Sequence, residues 1–163
     1  MTDAPHDAPS TQPADEFVTA AAALARGCVD VLPADALARR LEQAASEGRP
    51  LRVKFGMDPT SADVHLGHAV VLQKLREFQD AGHLVVLIIG DYTARVGDPS
   101  GRAKSRPTVD GDAIDANART YQDQAFRILD PERTEVRWNG EWLAKLTPLD
   151  MFALQRGATV AQV

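Results

Sequence analysis

Six consecutive aliphatic residues, Leu84-Val85-Val86-Leu87-Ile88-Ile89, constrain the fold of this chain more than any other stretch. A run with no polar alternate is a strand covered on both faces, the situation of a central strand in a parallel sheet. Upstream, Leu51-Arg52-Val53-Lys54-Phe55 alternates apolar with basic side chains, the pattern of a half-buried strand. Between the two, residues 65–81 carry helical spacing, with Leu72, Leu75 and Phe78 inward, Lys74, Arg76 and Glu77 outward, and a stop at Gly82. Strand, helix, strand in about 40 residues is a βαβ unit with a right-handed crossover, so a parallel α/β sheet is expected.

Other elements follow from local chemistry. Residues 1–14, rich in Pro, Asp, Ser, Thr and Ala, lack apolar periodicity and read as a mobile tail. Residues 17–28 read as an Ala-rich helix stopped at Gly27, and a second helix is expected from Pro33, with Leu37 and Leu41 on one face, to Gly48 and Pro50. Downstream the pattern predicts a helix over 112–129, a strand over 134–138, and a helix over 149–155 capped by Thr147 with Pro148 at its first position. Residues 159–163 look like the first turn of one more helix. The expected organisation is thus a tail (1–14), a helical segment (15–50) and a partial α/β domain (51–163).

Composition narrows the function. A formal net charge of −5 argues against broad affinity for polyanions, which needs many unpaired Lys and Arg. One cysteine, Cys28, allows no intramolecular disulfide and no Cys-rich zinc cluster, and reads as a small buried hydrophobe in a reducing, cytoplasmic setting. No apolar run approaches the roughly 20 residues of a membrane span, and the first residues lack a secretory signal.

The chemistry concentrates in Phe55-Gly56-Met57-Asp58-Pro59-Thr60-Ser61-Ala62-Asp63-Val64-His65-Leu66-Gly67-His68, where a strand end turns into a helix. Open α/β sheets bind ligands at that place, and a helix N-terminus offers N–H groups and partial positive charge to phosphate. His65 and His68, three apart, are expected on one helical face, each able to donate to a phosphate oxygen. Gly67 between them would let a base or ribose approach the backbone. Zinc ligation by the pair, or two surface histidines at a helix end, are the alternatives. A second glycine-punctuated loop, Gly90-Asp91-Tyr92-Thr93-Ala94-Arg95-Val96-Gly97-Asp98-Pro99-Ser100-Gly101-Arg102, follows the aliphatic strand on the same rim. Asp98 in its tight turn is placed to accept from an ammonium group, and Arg102, Lys104 and Arg106 form a basic strip that is either solvated or turned to a triphosphate.

The first segment is similar to the "HIGH" signature of class I aminoacyl-tRNA synthetases. Together with Gly97-Asp98-Pro99-Ser100-Gly101-Arg102 and Asn139-Gly140-Glu141-Trp142-Leu143 it resembles the bacterial tyrosyl-tRNA synthetases, from about Leu51 to Val163. The tryptophanyl enzymes share the first signature, whereas Gly-Asp-Pro-Ser-Gly is typical of the tyrosyl ones. The resemblance implies a truncated Rossmann-like parallel sheet of the HIGH-motif nucleotidyl transferase type. It also implies joining of tyrosine to ATP, with Mg2+ accompanying the nucleotide, followed by esterification of tRNA, in a cytoplasmic homodimer.

By position, it assigns Thr60 and His65 to the terminal phosphate, His68 and Asp58 to the adenosine side with Gly56 and Gly67, and Arg102 and Arg106 to pyrophosphate. Asp98 and Thr93 fall to tyrosine, as does Lys54, which stands where many members carry a tyrosine touching the substrate ring. His65, His68 and Thr60 would carry catalysis, which is electrostatic because the substrate carboxylate is the nucleophile. The family's tyrosine-binding helix, "KMSKS" loop and anticodon-binding region fall beyond Val163, so this chain alone is expected to be an inactive part of the ligase. A non-catalytic nucleotide-binding regulator and a small nucleotidyltransferase are the competing readings. Met57, Leu72, Phe78 and Phe152 are expected in the core and His83 in a loop, while Trp142 and the face around Leu149 are either core or a dimer surface.

Overall fold

Residues 12–96 and 111–156 are described by the computed structural model, and they divide into a unit ending at Leu51 and a unit beginning at Arg52. In the first unit two helices, α1 (Asp15–Leu24) and α2 (Ala36–Ser46), pack on each other and bury Leu24, Ala38, Leu41 and Ala44. Helix α2 starts three residues later than Pro33 suggested, because Asp35 at its N-cap adopts a left-handed φ of 59° that helical backbone cannot continue through. Gly27 and Gly48, at φ 78° and 64°, end the two helices as their sequence positions implied. Cys28, expected to be buried, is exposed.

Among the described residues, the second unit has three parallel strands in the order β1 (Arg52–Met57), β2 (Leu84–Ile89) and β3 (Thr134–Trp138), with Phe55 opposite Leu87 and Leu87 opposite Val136. The aliphatic run is the central strand, with Val85, Leu87 and Ile89 fully buried and Val86 nearly so. Helix α3 (Leu66–Asp80) crosses from β1 to β2. Helix α5 (Gly111–Ala125) follows the one-turn helix α4 (Thr93–Val96), which the sequence pattern did not predict. The core joins Met57, Val85 and Leu87 of the sheet to Leu72 and Leu75 of α3 and to Tyr121, Ala125 and Leu129 of α5 and its extension. Each fully buried aliphatic side chain here contributes about 1.5–3 kcal/mol. Phe78 is only half buried, its ring 6.1 Å from that of His83.

One buried polar side chain sets where β3 lies. Gln79, at the end of α3, donates from Nε2 to Asp130 O, Arg133 O and Thr134 Oγ1, and accepts from Asp130 N at 2.9 Å. These bonds anchor the 3₁₀ turn Pro131–Arg133 that leads into β3. After the strand, the one-turn helix α6 (Gly140–Leu143) and α7 (Pro148–Gln155) complete the described chain. Helix α7 begins with the expected Thr147 cap, which forms a reciprocal capping box with Asp150. Phe152, expected in the core, is 65% exposed, and Leu149, Met151 and Leu154 are exposed beside it in sequence, because nothing among the described residues packs over that face of α7. Among the described residues no helix is long and apolar enough to cross a membrane. Residues 159–163 lie outside the described residues.

Candidate active site

The three strands end on one rim, and their terminal residues are tied together by side chains. Backbone bonds extend the ladder past the strands, from Gly90 N to Met57 O and from Asn139 N to Ile89 O. Beyond them, Asn139 Nδ2 donates to Thr93 Oγ1 at 2.7 Å, and Thr93 Oγ1 donates to Asp58 Oδ1 at 2.8 Å. Asn139 Oδ1 accepts from Tyr92 N, and Asp91 Oδ1 accepts from Gly140 N, both at 2.9 Å. Asn139 is buried with both its amide oxygen and its amide nitrogen bonded, so one amide sets the position of the hydroxyl that holds the Asp58 carboxylate. Gly90 leaves the room for this: a Cβ there would lie 1.8 Å from Asp58 Oδ1 and 2.7 Å from Thr93 Oγ1. Thr93, expected against tyrosine, is thus engaged inside the protein.

The segment between β1 and α3 lies outside both ladder and helix, yet three of its polar backbone groups are bonded by side chains of α5. Asn117 Nδ2 donates to Pro59 O, Thr120 Oγ1 and Gln124 Nε2 to Ala62 O, and Val64 N donates to Gln124 Oε1. Ser61 Oγ and the buried Tyr121 hydroxyl are 2.9 Å apart. Thr60 N donates to Asp58 O in a tight turn, which leaves the Thr60 side chain exposed.

His65 then forms the N-cap of α3 rather than its first turn. Its backbone is extended, and its Nδ1 accepts from Gly67 N at 3.1 Å. A ring that accepts at Nδ1 carries its proton on Nε2, so His65 presents an N–H donor outward. Gly67 fits this cap, since a Cβ there would meet His65 Cε1 at 3.0 Å; the space expected to admit a base is filled by the His65 ring. The His68 ring stacks on that of His65, with centroids 3.9 Å apart and planes 17° from parallel, and its edge faces Tyr121 at 5.9 Å. Burial and, secondarily, the neighbouring His65 hold His68 below the ordinary histidine range, which keeps it neutral at pH 7; its Nδ1 is buried without a partner among the described residues. The pair meets as the motif required, through a cap and a stack rather than a shared helical face.

Lys54 and Gly56 alternate along β1 with Val53 and Phe55, so they lie on the sheet face opposite the core, and both are exposed. Asp98, Arg102 and Arg106 lie outside the described residues. Sequence reasoning missed Asn139 as a site residue, although it stands just past the end of its strand, as Asp58 and Gly90 do at theirs. It also missed Asn117, Thr120, Tyr121 and Gln124, whose spacing of three and four draws a polar stripe along α5.

A parallel sheet wound in βαβ order, with its loops gathered at the carboxyl ends of the strands, defines the open, Rossmann-like α/β class. The family model "tRNA synthetases class I (W and Y)" matches residues 46–162, and the chain belongs to that family. It is similar to the tyrosine–tRNA ligase of Carboxydothermus hydrogenoformans, at 47% identity over 93% of this chain and 37% of that protein. It is likewise similar to the tyrosine–tRNA ligase of Thermotoga maritima, at 54% identity over 86% of this chain and 34% of that one. The chain therefore spans little more than a third of the curated relatives it matches. Among solved structures, the tyrosyl-tRNA synthetase of Archaeoglobus fulgidus complexed with L-tyrosine shares the fold, with a TM-score of 0.67 at 21% identity over 89% of this chain and 42% of that one.

Proposed function

We propose that this chain forms the nucleotide-binding part of a tyrosine–tRNA ligase. In that reaction a carboxylate oxygen of tyrosine attacks the α-phosphorus of ATP, the bond to the bridging oxygen breaks, and pyrophosphate leaves. A tRNA hydroxyl then takes the tyrosyl group, releasing AMP. The single observation that carries the reading is the His65 cap, which consumes Nδ1 and leaves an oriented Nε2–H beside the stacked, neutral His68. Imidazole donors fixed before the substrate arrives stabilise charge that grows on the phosphates without reorganising.

In this reading His65 and Thr60 bind the terminal phosphate, His68 and Asp58 line the adenosine side with Gly56, and Gly67 contributes by making room for the His65 ring. Arg102 and Arg106 take the pyrophosphate. Asp98 binds the ammonium group of tyrosine and Lys54 lies toward its side chain, while Thr93, expected to serve tyrosine, acts instead by holding Asp58 on the adenosine side. Mg2+, the usual companion of a triphosphate, would offset part of its charge in this reading. The exposed apolar side chains of α7 suit a homodimer contact, and the reading takes tRNA as the partner in a cytoplasmic setting. The α/β unit beginning at Arg52 is the partial catalytic domain.

Calorimetric titration of the chain with Mg·ATP, beside a His65→Ala, His68→Ala double variant, tests the reading. Saturable binding weakened by at least about tenfold in the variant is expected, the equivalent of 1.4 kcal/mol. Equal binding by both proteins, or none by the wild type, would overturn it.

A further inference from the structure

We infer that Gln124 is a positioning residue for the histidine pair, its single amide standing in for the strand edge that the 58–65 segment lacks. Gln124 Nε2 donates to Ala62 O and Oε1 accepts from Val64 N, both at 2.9 Å. An N–H and a C=O two residues apart along one edge are what a neighbouring strand would engage. Here a side chain engages them, and the next residue after Val64 is the His65 cap. Thr120 also donates to Ala62 O, so that carbonyl has two donors, but the amide of Val64 has Gln124 as its acceptor.

Loss of Gln124 therefore frees Val64 N and the backbone torsions that enter His65, while Ala62 keeps Thr120. The His65 ring then no longer stays fixed over Gly67, and its Nε2–H loses its direction. Only glutamine has the length together with both a donor and an acceptor: glutamate cannot donate to Ala62, and asparagine is one methylene shorter. The role concerns orientation rather than contact with substrate. It depends on the ATP reading of this site only for its consequence, not for its geometry.

The test uses Gln124→Ala and Gln124→Glu, with Arg119→Ala on the exposed side of the same helix as control. Long-range proton–nitrogen NMR spectra of the imidazoles read the His65 tautomer, and calorimetry reads Mg·ATP affinity. The wild type and Arg119→Ala should show His65 as the single Nε2–H tautomer. Gln124→Ala should show tautomer averaging and an affinity lower by about tenfold, the size of one lost buried hydrogen bond with its orphaned donor. Gln124→Glu, which keeps an acceptor for Val64, should fall between. A Gln124→Ala protein that melts cooperatively with the wild-type tautomer and affinity would overturn the inference; if that variant does not fold, an unchanged His65 signal in Gln124→Met, which keeps the length but neither the donor nor the acceptor, does so. Should the wild type bind no Mg·ATP, the ATP reading fails, while the tautomer spectra still decide the role of Gln124.

Discussion

Replacing Gly90 by alanine should show how tightly the strand ends are coupled. Gly90 is not among the glycines at positive φ, so alanine meets no backbone strain there, and the obstacle is space alone. The new Cβ would sit 1.8 Å from Asp58 Oδ1 and 2.9 Å from Asp58 Cγ, so the carboxylate must swing well over an ångström and release the Thr93 hydroxyl. A hydrogen bond to a charged acceptor contributes about 1.5–3 kcal/mol; Asp58 is exposed, which favours the lower end, and crowding of Thr93 adds about 1 kcal/mol, for a loss of about 2–3 kcal/mol. Urea denaturation of wild type, Gly90→Ala, Asp58→Ala and the double variant reads this directly. Because both changes break the same Asp58–Thr93 bond, they should couple by at least about 1 kcal/mol rather than add. Additive effects, or a Gly90→Ala midpoint indistinguishable from wild type, would refute the reasoning.

Gln79→Leu makes the core more apolar yet should destabilise by about 3 kcal/mol in the same assay, because it orphans Asp130 N and removes the donor to three acceptors. Leu72→Ala, at a site with no solvent exposure, should cost about 3–4 kcal/mol by urea denaturation through the cavity it leaves. Burial holds His68 below its unfolded value of about 6.5, so the unfolded chain takes up protons first. Stability should therefore be level above about pH 6.5 and fall as pH drops through the folded value of His68. Thermal melts from pH 8 to 5 should show a shallower decline in His68→Gln, with His83, also held low by burial, supplying part of what remains.

What could be read from the chain was whatever depended on neighbours in sequence. The run 84–89 has no polar alternate, so its strand limits coincide with the prediction, and Thr147-Pro148 carries its own capping chemistry. The histidine motif was legible by spacing, but its working geometry was not: that His65 caps with Nδ1, and that Gly67 makes room for its ring, depends on torsions that spacing does not fix. The late start of α2 hid in one left-handed residue, Asp35. Gln124 and Asn139 were missed because their partners lie 60 and 46–47 residues away in sequence, where no periodicity reaches.

The tie from Asn139 through Thr93 to Asp58 also bears on when the site comes into being during synthesis. Asp58 and the histidines leave the ribosome early, but the amide that fixes Thr93 follows some eighty residues after Asp58. At about 5–20 residues per second that is a delay of roughly 4–16 seconds. During it β1 and β2 can pair, yet Asp58 and Thr93 hold each other without the third member. A nascent chain therefore carries its histidine motif well before Asn139, in the motif that follows β3, can close the tie among the strand ends.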